Sequence, residues 1–178
     1  MQFILGSHVS YLWIFWLLFA FLIRDFHRDI PPIPLAVISP VDGVVEDISQ
    51  ITNPYLKKPS SCYTIRQSLF GEFNMHSPAE GKVEQLWVRY PNSERKALSY
   101  WIHTDEHDDI VVHVELNTKW QHGGTALHPG ERVGQGRRCG FVAAGCRVHV
   151  YLPEKMQREA QVGDRVVAGR NILAHIVH

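Results

Sequence analysis

Three positions in this 178-residue chain carry groups able to do chemistry. They are the carboxylate of Asp42 in SPVDG (39–43), the imidazole of His76 in FNMHSPAEG (73–81), and the thiol of Cys146 in GFVAAGCRVHVYLP (140–153). A thiolate is a strong nucleophile, and a neighbouring His raises the thiolate fraction. Taken singly, each group also has a plain structural role. Asp before Gly is a common turn pair. One His among eleven is an ordinary surface or core residue, and a small buried Cys is a frequent packing element. The two remaining cysteines, Cys62 and Cys139, form no CxxC pair with it or with each other. Neither a disulfide framework nor a structural zinc site is therefore expected, and no metal is assigned.

Other polar groups carry less. His103, Asp105, His107, Asp108 and Asp109 cluster in HTDEHDD, which reads as a solvated turn, although His and Asp can ligate divalent ions. His122 and His128 read as loop residues beside Gly and Pro. Arg138 and Arg147 bracket the Gly145-Cys146 pair. They are candidates to bind a lipid phosphate or a substrate carboxylate, or they are solvated faces of strands.

The elements that must hold these groups are mostly strands. From Leu35 onward the chain consists of short apolar runs between Gly and Pro. Strands are expected at 36–38, 43–48, 81–90, 98–103, 110–116, 138–143, 147–152 and 171–176, with a short helix near 62–70. Many short strands with such punctuation indicate a mainly β domain of sandwich or barrel type. Two internal echoes sharpen this. Pro40–Ile48 and Pro78–Leu86 both read P-x-x-G-x-V-E-x-[IL], and Gly130–Gly136 and Gly163–Gly169 both read G-[ED]-R-V-x-x-G. These half-motifs resemble the lipoyl/biotinyl type of hybrid β fold. Lys82 lies inside an expected strand rather than at a hairpin tip, which argues against a swinging-arm carrier.

The first 23 residues contain no Asp, Glu, Lys or Arg and 18 apolar residues. As a helix they would extend roughly 34 Å, against about 30 Å of bilayer hydrocarbon. Residues 1–28 are therefore expected to be a membrane anchor and 29–178 the β domain. Arg24 and Arg28 place that domain on the cytoplasmic side of the inner membrane by the positive-inside rule. Eighteen basic residues balance eighteen acidic ones, which argues against a nucleic-acid partner.

In order and frame, the motifs resemble one family, the short bacterial phosphatidylserine decarboxylases. Residues 24–31 (RDFHRDIP) are similar to the family's R-D-P-x-R-x-x-P, and SPVDG at 39–43 to its S-P-x-D-G. Residues 93–98 (SERKAL) resemble N-E-R-N-A-L, and Gly130–Pro153 resembles the processing region. GDRVVAGRNILAHI (163–176) also matches. The resemblance implies a proenzyme that cuts itself at a Gly–Ser bond. The Ser becomes a pyruvoyl group on the smaller chain, the electron sink for loss of CO2. It further implies Asp42 as the orienting acid, His76 as the base, and Gly145-Cys146 as the scissile pair, with Cys146 as the pyruvoyl precursor. The substrate would be membrane phosphatidylserine and the product phosphatidylethanolamine. The assembly would be a large/small chain heterodimer after cleavage, or a homodimer.

Three departures stand out: Cys146 replaces the processing Ser, Phe73 takes the place of the first His of H-x-x-H-x-P, and LNTKW (116–120) replaces I-A-G-x-x-A-R-R. They leave a second reading, a catalytically lapsed relative that binds lipid or a partner at the membrane.

Overall fold

The computed structural model describes residues 11–17, 33–91, 96–116, 122–143 and 145–177. Its strands, in chain order, are β1 (Ala36–Ile38), β2 (Gly43–Thr52), β3 (Pro59–Gln67), β4 (Asn74–His76), β5 (Gly81–Arg89), β6 (Lys96–His103) and β7 (Asp109–Glu115). They continue as β8 (Gly123–Thr125), β9 (Arg132–Val133), β10 (Arg138–Val142), β11 (Arg147–Pro153), β12 (Met156–Arg158), β13 (Arg165–Val166) and β14 (Ile172–Ile176). A curled eight-stranded sheet has the order β13-β2-β3-β11-β7-β6-β5-β9. Two three-stranded sheets, β1-β14-β12 and β4-β10-β8, complete the domain. Every pairing is antiparallel.

The period of two along each strand divides the large sheet into two faces. Tyr63, Ile65, Tyr100, Ile102, Ile110, Val112, Val114, Val148 and Val150 lie on the inner face within the main core. Cys62, Val111 and Tyr151 face the other way and pack with Tyr55, Trp87 and Trp101 in a smaller aromatic cluster. The mainly β expectation agrees with this architecture. All eight expected strands are present, with ends shifted by a few residues. The helix expected near 62–70 is not: residues up to Gln67 belong to β3, which pairs with β2 on one side and β11 on the other. Ser60, Ser61, Cys62 and Tyr63 are all buried, so this segment lacks the in–out alternation that would have marked it as a strand.

The two sequence echoes are a structural repeat. β13 pairs with the start of β2 (Val166↔Gly43), as β9 pairs with the start of β5 (Val133↔Gly81). Val45 N–H donates to Asp164 O at 3.0 Å, and Val45 O accepts Gly163 N–H at 2.8 Å. Val83 repeats both bonds with Glu131 O (2.9 Å) and Gly130 N–H (2.6 Å). Gly130 and Gly163 have φ of +89° and +95°, a conformation open mainly to Gly. Bulges fall at the same place in each half, after Val45 and after Val83. The halves are cross-tied where the motifs begin: Ile38 N–H donates to Pro78 O and His76 N–H to Pro40 O, both at 2.9 Å. Lys82 lies in β5, paired with His103 and Arg132, as expected of a strand residue.

Within the expected anchor 1–28, the described part is a helix at 11–17 with exposed side chains. No helix among the described residues is long and apolar enough to cross a membrane. The rest of the anchor, Arg24 and Arg28 included, lies outside the described residues, as do Ser93–Arg95 and Asn117–Trp120.

The repeat makes a paired prediction. A Cβ on Gly81 would lie 2.4 Å from His103 O and 2.7 Å from Ile102 Cγ2, whereas one on Gly134 meets nothing within 4 Å. Gly81→Ala is expected to lower unfolding stability by about 1–3 kcal/mol. Gly134→Ala should stay within about 0.5 kcal/mol of the parent. Urea midpoints measure both.

Candidate active site

Asp42 follows a turn closed by the Ser39 hydroxyl, which donates to Val41 O at 2.7 Å. The carboxylate is 8% exposed and accepts two backbone N–H groups, Ala168 at 2.7 Å on Oδ1 and Glu72 at 2.8 Å on Oδ2. Its own carbonyl accepts Ser68 N–H at 2.8 Å. Asp42 thus fastens both ends of the Ser68–Glu72 loop. Gly71 is required there, because a Cβ would come within 2.6 Å of Asp42 Cβ.

His76 ends β4 and is buried at 2% exposure. Its Nδ1 lies 2.7 Å from Gly136 O, an acceptor, so Nδ1 carries the proton. Nε2 then faces Glu72 Oε1 at 3.3 Å. Glu72 Oε1 also accepts from Asn74 Nδ2 at 2.9 Å and has Arg138 Nη2 at 3.6 Å. The acid beside His76 is therefore Glu72. Asp42 acts one step back, holding the Glu72 main chain.

Gln67, buried at the end of β3, links this cluster to the Gly145-Cys146 pair. Its Nε2 donates to Glu72 O at 2.9 Å, and its N–H donates to Cys146 O at 2.9 Å. Gly145 turns the chain at φ +75°, and Cys146 N–H reaches back to Ala143 O at 3.4 Å. Cys146 is fully buried within the main apolar core. Burial pushes its thiol up from the ordinary value.

The sequence-predicted residues Asp42, His76 and Cys146 thus converge on one hydrogen-bonded network, with Gly145 adjoining Cys146 and Arg138 forming an ion pair with Glu72. Arg147 does not join it: its Nε pairs with Glu46 Oε2 at 2.8 Å on the sheet surface, where Glu46 also takes Arg66. Two members, Glu72 and Gln67, were not anticipated. Glu72 had a usable signal, being the single acidic residue between Asp47 and Glu80 and lying four before His76. Gln67 had none, because its role comes from a contact across 79 positions.

No family model matches the chain. Among curated proteins it is 31% identical over 176 residues to a phosphatidylserine decarboxylase proenzyme of Nitrosomonas eutropha, covering 92% of this chain and 80% of that one. It is 33% identical over 178 residues to the phosphatidylserine decarboxylase proenzyme of Aromatoleum aromaticum, covering 91% and 81%. The chain belongs to the phosphatidylserine decarboxylase proenzyme family. A third such proenzyme, from Nitrosomonas europaea, is 30% identical over 175 residues, covering 90% and 80%. No solved structure matches. The similarity spans nearly the whole chain, so decarboxylase proenzymes share with it the segments that carry Asp42, Glu72, His76 and Cys146.

The network has a measurable cost of disruption. Asp42→Ala would strand two buried backbone N–H groups and is expected to cost about 2 kcal/mol or more. Asp42→Asn keeps one carbonyl acceptor and should cost about half as much. Chemical denaturation of the two variants beside the parent provides the comparison.

Proposed function

We propose that the chain is a phosphatidylserine decarboxylase that matures by cutting itself between Gly145 and Cys146. The observation that carries this is the continuous set of hydrogen bonds from Cys146 O through Gln67 and Glu72 to Asp42 and His76. Two of the segments that meet there, 39–43 and 130–153, hold motifs that resemble the family's.

Self-cleavage begins with attack of Cys146 Sγ on the Gly145 carbonyl carbon. The Gly145–Cys146 amide bond breaks, a thioester forms, and the amino group of Cys146 is released. His76 and Glu72 are the groups of the network suited to carry the proton that the thiol loses and the released amino group gains. Loss of the Cys146 α-proton then expels the sulfur from Cβ, so the sulfur leaves on the Gly145 carbonyl as a thiocarboxylate. Addition of water releases ammonia and leaves the keto acyl group at the start of the small chain.

The surroundings of Cys146 fit such a group. β11 begins at the next residue and is paired on both sides, to β3 and β7, and Gln67 N–H fixes the Cys146 carbonyl. The new chain end would stay in place after the cut. When present, the pyruvoyl group supplies the electron sink for carboxylate loss from the substrate's amino acid head group. Asp42, Glu72 and Gln67 keep the site rigid, and the His76–Glu72 pair is placed to deliver a proton after CO2 departs. Arg138, half exposed beside Glu72, is the cation positioned to meet the lipid's phosphate or carboxylate.

The edge of the site is apolar. Leu69, Phe70, Phe73 and Phe141 are exposed by 62, 83, 36 and 50%. Leu69 Cδ2 is the nearest atom to a Cβ built on Gly145, at 3.8 Å, and the Phe73 carbonyl bonds Val142 N–H next to Phe141. Such a rim favours contact with a bilayer that presents the substrate. The apolar N-terminal segment supports a location at the inner membrane with the domain on the cytoplasmic side, where a large and a small chain would remain associated.

Intact mass of the purified full chain, with and without borohydride and an added amine, tests the reading. The expected products are residues 1–145 and a small chain starting at position 146 with a pyruvoyl group, shifted by reductive trapping. An uncut chain, or a small chain beginning with unmodified Cys, favours the lapsed lipid- or partner-binding relative instead. Cys146→Ala should remain uncut and Cys146→Ser should be cut. Because burial raises the thiol, the thiolate fraction is still climbing above its ordinary range, so the cleavage rate of the parent should keep rising past about pH 8.5.

A further inference from the structure

A second constellation lies on the opposite face of the large sheet from Cys146. His113 on β7 and His149 on β11 are direct cross-strand partners, and Glu115 follows His113 by two residues on the same face. The imidazoles stack with centroids 5.4 Å apart and planes 20° from parallel. One ligand-type atom from each of His113, Glu115 and His149 lies within 4.8 Å of the others.

The hydrogen bonds around the rings leave one kind of nitrogen for a ligand. His113 Nδ1 is held by Tyr55 OH at 2.8 Å and Ser99 Oγ at 2.9 Å. His149 Nδ1 is held by Thr64 Oγ1 at 3.0 Å. His149 Nε2 is buried and has Glu115 Oε1 3.2 Å away. A buried ring nitrogen beside a carboxylate and a second imidazole is the arrangement a cation would satisfy. Outer hydrogen bonds on Nδ1 are what orient His ligands for coordination through Nε2.

We propose that His113, His149 and Glu115 form a three-ligand site for a divalent transition-metal ion of the zinc class. The Glu115–His149 separation of 3.2 Å already matches the edge of a tetrahedron with bonds of about 2.0 Å, roughly 3.3 Å. The ligand set, two His and one Glu, leaves a fourth position open. That position faces a cleft of about 370 Å³ lined also by Ser49, Ile51, Thr64, Tyr90 and Lys96. The site is independent of the decarboxylation reading, since its ligands point away from the core that contains Cys146.

The test uses tag-free, detergent-solubilised full-length protein dialysed against Zn2+ alone, with Co2+ as a spectroscopic probe. One equivalent of metal per chain is expected, with a visible Co2+ ligand-field band of a four- or five-coordinate ion. Glu115→Gln, a mild change on a half-exposed strand end, should weaken Zn2+ binding by about tenfold or more, and His149→Gln by about a hundredfold. His103→Gln, in the separate turn cluster, should leave affinity unchanged. Absence of stoichiometric uptake by the parent at about ten micromolar Zn2+ overturns the proposal, as does uptake undiminished in both Glu115→Gln and His149→Gln.

Discussion

The active end of the molecule depends on one buried carboxyl group, Glu72, 3% exposed in a protein interior that penalises unpaired polar atoms. Its side chain meets the His76 imidazole, its N–H is taken by Asp42, and its carbonyl is taken by the Gln67 amide. Each partner lies on a different element, so satisfying this residue fixes β3, β4, the Ser39–Gly43 turn and the Ser68–Phe73 loop together. Gln67 carries the constraint one step further, to the Cys146 carbonyl. The Gly145-Cys146 pair is thus positioned by hydrogen bonding as much as by the packing of β11.

Around that centre the fold is duplicated. The two halves share a Ser-hydroxyl turn, a Gly-opened strand, a bulge and a short returning strand. Chemistry enters where the halves differ. Asp42 corresponds to the exposed Glu80, and His76 to the apolar Ile38. The reciprocal bonds from Ile38 to Pro78 and from His76 to Pro40 bring the two distinctive positions to one place. A repeated scaffold supplies rigidity, and two differences between the repeats place the Asp42 carboxylate and the His76 imidazole. Unrelated to this axis, the sheet's outer face uses the strand pairing of β7 and β11 to bring His113 and His149 together.

Much of this was legible in the sequence, for identifiable reasons. Strands such as Arg147–Pro153 alternate apolar and polar residues because one face is core, and the Gly echoes mark backbone that nothing larger fits. β3 was misread near 62–70 because both of its faces are covered there, which erases the alternation. The two- and three-residue strands β8, β9, β12 and β13 are defined by their partners rather than by any local period. Asp42, His76 and Gly145-Cys146 were visible through motif order. Glu72 and Gln67 acquire their meaning only from long-range contacts. The His113–Glu115–His149 group was likewise hidden, because the register that pairs His113 with His149, 36 positions apart, is not a local property. The more conspicuous HTDEHDD segment is a polar turn, with His103 bonded to Asp109 at 2.9 Å and Asp105 paired to Arg132 at 2.5 Å.

The proposed activity is removal of CO2 from a serine phospholipid by a family member with a thiol in place of the processing hydroxyl. The most direct measurement is release of labelled CO2 from vesicles of phosphatidylserine labelled in the serine carboxyl, followed with the purified full chain. Release of many equivalents per chain, matched by phosphatidylethanolamine and absent in Cys146→Ala, is the predicted result. Cleaved protein that releases no CO2 from such vesicles would contradict the account.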